Sequence, residues 1–78
     1  MSTIPVYDQH ILDLHFHLVR FEAFMAMNLG REAETCLSQA EDCLFAAKRT
    51  GAPATVLTPW RRSIGNAFAR YTRLKEAS

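Results

Sequence analysis

Side chains able to do chemistry fall into three groups in this sequence. The first is His10, Asp13 and His17, spaced i, i+3 and i+7, which a helix places on one face. Imidazole with carboxylate can hold zinc or a similar divalent ion. Two helical turns separate the histidines, so one ion would need a further ligand from another helix or another chain. With neither an HExxH motif nor paired CxxC motifs in the chain, no metal site is expected, and these residues read as a solvated polar face.

The second group is Cys36 and Cys43. A thiol beside histidine and carboxylate is the material of a nucleophilic site. Nothing in the spacing brings such groups together, no glycine-rich phosphate loop occurs, and a bundle this small leaves little room for a substrate cavity. Catalysis, a cofactor and a small-molecule substrate are therefore not expected. Nor is a bridge between the cysteines, because their seven-residue spacing along one helix amounts to a rise of about 10 Å, too far for a disulfide. They read as reduced thiols buried as small apolar side chains.

The third group is basic. Arg61, Arg62, Arg70, Arg73 and Lys75, with Lys48 and Arg49 nearby in sequence, could contact phosphates from a helix lying along a nucleic acid. Arg62, Arg70 and Arg73 share a polar face with Asn66, the best base-reading side chain there. A net charge of +1 is far below that of a dedicated nucleic-acid binder, so this is the second reading of the chain rather than the first. The charge is unevenly placed all the same: residues 1–47 balance at −5 and residues 48–78 at +6.

Helical periodicity positions these groups. The stretch from Ile4 to Leu29 holds most of the bulky apolar side chains and is predicted to be helical from about residue 5 to 28, with Pro5 in its first turn and residues 1–3 a frayed lead-in. At 100° per residue its apolar side chains form two stripes. One is Ile4, Tyr7, Ile11, Leu14, Leu18, Phe21, Met25 and Leu29. The other, about 120° further round, is Leu12, Phe16, Val19, Ala23 and Met27. A third sector, with His10, Asp13, His17 and Arg20, is polar apart from Phe24. Such a helix either sits centrally between two others or spends one stripe on its own bundle and the other on a second chain. Periodicity marks burial without naming which stripe faces inward. A helical length of roughly 37 Å favours an intermolecular use of at least one end.

Gly30 suits the left-handed conformation that closes a helix. A second helix is predicted over residues 31–49, with Glu32 and Glu34 in its first turn and Lys48 and Arg49 in its last, as the helix dipole favours. Its inward positions, Ala33, Cys36, Leu37, Ala40, Cys43, Leu44 and Ala47, are mostly small, so its backbone can approach the bulky first helix closely. Phe45 points away from them. Gly51 and Pro53 end this helix, and residues 51–58 form a short linker. Thr58 as N-cap and Pro59 as first helical residue open a third helix over residues 59–75, with Trp60, Ile64, Ala67, Phe68, Tyr71 and Leu74 on its apolar side and packing expected through Trp60, Ile64, Phe68 and Tyr71.

The run FMAMNLGREAETCLSQAEDCL resembles the turn of a tetratricopeptide repeat, with Leu29-Gly30-Arg31 joining two antiparallel helices and Ala33 and Ala40 as small packing residues. The resemblance implies the helical-hairpin geometry alone, since the chain carries no second copy and a solenoid needs several.

The fold expected is all-α, one domain over residues 1–78: a small three-helix bundle whose long first helix forms an antiparallel hairpin with the second. A chain this short buries only about 60–65 per cent of its unfolded surface, so dimerisation is a natural gain in stability. With 49% hydrophobic and 22% charged residues the composition is that of an ordinary globular protein. The absence of a long apolar run and of a signal-peptide pattern points to the cytoplasm, with no membrane partner. The expected function is a small non-catalytic protein–protein interaction module, an adaptor, chaperone-like or inhibitory regulator that docks an apolar helical surface on a larger partner as a homodimer. Leu12, Phe16, Val19, Phe24, Met27 and Phe45 are the expected contact residues, because methionine and aromatic side chains present large, adaptable apolar area.

Overall fold

The computed structural model describes residues 4–77, and the lead-in expected over residues 1–3 lies outside the described residues. Its elements are α1 (Val6–Ala26), α2 (Gly30–Arg49) and α3 (Ala54–Ala77), with no strand among the described residues.

Both loops close by the same device. Asn28 has a left-handed φ of 61°; its N–H bonds the Met25 carbonyl at 3.0 Å, and the Leu29 N–H bonds that of Phe24 at 2.8 Å. After α2, Gly51 has φ 100°, and the N–H groups of Gly51 and Ala52 bond the carbonyls of Lys48 and Ala47. Each pair of bonds satisfies carbonyls that the end of a helix leaves free. The residue that turns the first corner is therefore Asn28, whose short polar side chain suits the left-handed region. Gly30, expected in that role, opens α2 instead.

The third helix begins earlier than Pro59. Residues 54–58, expected as linker, are helical: the Pro53 carbonyl accepts from Val56 and Leu57 at 2.9 and 3.0 Å, and Leu57 is buried. Thr58 is thus not an N-cap. Pro59 lies inside α3, where it cannot donate to the Thr55 carbonyl. Thr55 is exposed, so water can serve that oxygen, and burial of Leu57, worth about 1.5–3 kcal/mol, offsets the lost bond.

Core side chains stack in layers. Leu14 of α1, Ala40 of α2 and Ile64 of α3 form one; Phe21 of α1, Ala33, Cys36 and Leu37 of α2 and Ala67 of α3 form the next, and Leu18 packs against both. The layers advance together along α1 and α3 and backwards along α2, so α1 and α3 run parallel to each other and antiparallel to α2. Each sets a bulky residue of α1 against an alanine of α2, the large-against-small fit that close packing requires. Ala67 occupies the central place on α3 beside Phe21, and Phe68, expected among the packing residues, lies at an exposed rim.

α1 packs most on α2, which also carries α3, so the second helix rather than the first is central. With 21 residues, α1 is one residue longer than α2 and three shorter than α3, and the unusual length expected for it is absent. The chain is an elongated body of 50 × 19 × 14 Å whose radius of gyration, 13.5 Å, exceeds the roughly 11.5 Å of a compact domain of this length. So thin a body leaves one face of each helix uncovered.

Candidate interaction surface

One such face belongs to α1. Leu14 and Phe21 have no exposed surface, and Leu18 and Met25 are half-buried against them. The middle of the first stripe is therefore internal, while Ile4 and Leu29 at its ends are exposed. The second lies on the side of α1 away from α2, with Leu12 66%, Phe16 57%, Val19 52% and Met27 57% exposed and Ala23 exposed between them. From Leu12 to Met27 it runs about 22 Å along the helix. Arg20 borders it: its guanidinium carbon stands 5.7 Å from the ring centroids of both Phe16 and Phe24. The Phe16 ring also lies 6.1 Å from that of His17. These contacts settle the ring on the surface while leaving its outer face to solvent.

The other two expected contact residues lie elsewhere. Phe24 is half-buried against the Phe21 layer and lines a shallow groove with Arg20, Glu32, Thr35, Cys36 and Gln39. Phe45, 65% exposed, projects from α2, with the Arg49 guanidinium carbon 6.0 Å from its ring centroid. It forms one wall of a groove of about 420 Å³ between α2 and α3, lined also by Glu41, Leu44, Lys48, Arg61, Ile64 and Gly65. Sequence reasoning missed this groove. The signal available was Gly65, a helix-weakening residue in mid-helix with open space around it.

Arg62, Arg70 and Arg73 are all exposed on α3. Arg70 is not free, because its Nη1 donates to Glu22 Oε1 of α1, a bond that holds the guanidinium more firmly charged. The parallel course of the two helices makes this contact, and the same arrangement sets the His15 and Trp60 rings edge to face at 5.7 Å. On the other side of α3 the Tyr71 hydroxyl donates to Glu34 Oε2 at 2.7 Å, and this bond, then burial and the carboxylate's charge, raises the phenol pKa.

Among the described residues no three His, Cys, Asp or Glu side chains converge as a metal site. His10 and His17 are half-buried and Asp13 is exposed; His17 Nδ1 is buried without a hydrogen-bond partner. Both cysteines are free thiols. Burial, then the charges of Asp13 and Asp42, pushes the Cys43 thiol above its ordinary range. Thiolate is the nucleophilic form, so this environment suppresses reactivity. No helix among the described residues is long and apolar enough to cross a membrane. No protein-family model, curated protein or solved structure matches the chain.

Proposed function

We propose that this protein is a small non-catalytic interaction module, an adaptor, chaperone-like or inhibitory regulator, that works by docking the outer face of α1 on another protein surface. The observation that carries the reading is the exposed row of Leu12, Phe16, Val19 and Met27. Isolated exposed apolar residues are ordinary, but a contiguous row along one helix marks an association surface. Phe16 and Met27 add the adaptable area that such surfaces favour. The groove beside Phe45 is a second surface, left for a larger partner when α1 is occupied. The setting proposed is the cytoplasm, where Cys36 and Cys43 stay reduced.

A photo-crosslinking side chain placed at Phe16 in cells that make the protein should yield a protein adduct, and the same probe at Arg62 should not. Equal adducts at both positions, or none at Phe16, would overturn the reading. Nucleic-acid binding through Arg62, Arg70 and Arg73 is the second reading, favoured by the exposure of all three and weakened by the engagement of Arg70 with Glu22. Binding of duplex or single-stranded DNA that falls steeply as salt rises would support it, since phosphate contacts release counterions and apolar docking does not.

A further inference from the structure

We infer that the occupant of the outer face of α1 is the same face of a second copy, lying antiparallel across it. The inference rests on the docking reading above and names its partner.

The face is complementary to itself in one register. When Phe16 of one copy lies opposite Val19 of the other, a two-fold axis repeats the pair, and Leu12 comes opposite Ala23 on each side. Bulky and small side chains alternate across the seam, as in the layers inside the bundle. The spacing of Leu12, Phe16, Val19 and Ala23 is that of the seam positions of a coiled coil.

The charges agree with the same register. Asp13 and Arg20 both flank the seam on its α2-facing edge, and both are exposed. Antiparallel pairing sets Asp13 of each copy within reach of Arg20 of the other, giving two ion pairs. Arg20 is already placed at that edge by its contacts with the Phe16 and Phe24 rings. On the opposite edge His15 and Glu22 of the two copies come level, each already held by α3 through Trp60 and Arg70. No like charges meet in this register. A parallel pairing would set the α2-facing edge of one copy against the opposite edge of the other, bringing Asp13 to Asp8 and Arg20 to His15 and losing both ion pairs, which costs rather than gains. The charges thus select orientation, and the apolar seam supplies the adhesion.

Sedimentation equilibrium on the purified chain tests this with Asp13→Arg, Arg20→Asp and the exchange of both, helicity being checked in each. The native chain should dimerise. Each single reversal should raise the dissociation constant about tenfold, two exposed pairs being lost per dimer. The double exchange should return it to within about threefold of native. Failure of the double exchange to recover would overturn the register. A native chain that stays monomeric at every concentration would overturn the second copy as occupant. In that event an adduct at Phe16 with some other protein keeps the docking reading, and no adduct there removes it as well.

Discussion

Alanine at Phe21 and alanine at Phe16 should have very different effects, although both remove a phenyl ring from the same helix. Phe21 has no exposed surface and packs in the layer of Ala33, Cys36, Leu37 and Ala67. Truncating a buried phenylalanine costs about 3–5 kcal/mol. The neighbours are mostly short side chains fixed on helices, which cannot lean in to fill the space, so the upper part of that range applies. A domain of 78 residues has a total stability of roughly 4–12 kcal/mol. At about 4–8 °C per kcal/mol, the unfolding midpoint of Phe21→Ala should fall by at least ~15 °C. Phe16, 57% exposed, should cost the monomer no more than about 0.5 kcal/mol, with some return from the better helix propensity of alanine. The assay is thermal unfolding followed by far-ultraviolet circular dichroism, in samples dilute enough that association adds nothing to the midpoint. Equal losses for the two variants would refute the assignment of inner and outer stripes on which the rest depends.

Three further outcomes follow from other parts of the chain. Glu22 and Arg70 are about half exposed, so a double-mutant cycle on them should give a coupling of about 0.2–1 kcal/mol that fades in high salt; a coupling that salt leaves unchanged would show a drier contact. The two open glycines should respond with opposite signs in urea unfolding: Gly51→Ala, at φ 100°, should lose about 1–2 kcal/mol, whereas Gly65→Ala, helical and with space around it, should gain up to about 1 kcal/mol. Finally, the Cys43 thiol and the Tyr71 phenol are raised in the folded chain from ordinary values of 9.0 and 10.0, so the native state holds these protons more tightly than the unfolded state. Stability linked to them is present below about pH 9 and is lost as pH rises through the raised values. Unfolding midpoints between neutral and strongly alkaline pH should show that decline, and Cys43→Ala should lessen its first part.

Much of the fold was legible in periodicity, because an amphipathic helix writes its buried side into the order of its residues. The small inner row of α2 was readable for that reason: Ala33, Cys36, Leu37, Ala40 and Ala47 are buried and Cys43 and Leu44 half-buried. The two stripes of α1 were equally readable, but not which of them faces inward, since that depends on where α2 and α3 lie. The start of α3 was misplaced because proline at a helix start and proline in the second turn leave the same trace in sequence. The burial of Leu57 decides between them, and burial is a tertiary fact. Ala67 and Phe68 both lie on the apolar side that periodicity gives α3, and only the fit to Phe21 decides that the smaller takes the centre. The contacts of Arg70 with Glu22 and of Tyr71 with Glu34 join residues far apart in sequence, which no local pattern announces.

The solution mass of the purified chain, by light scattering at low and at high salt, bears most directly on the central claim that α1 pairs through its outer face. The account expects twice the 8.8 kDa of one chain at both salt levels, falling to a single chain in Phe16→Asp with helicity kept. A mass of one chain across the whole concentration range, unchanged by that substitution, would contradict it.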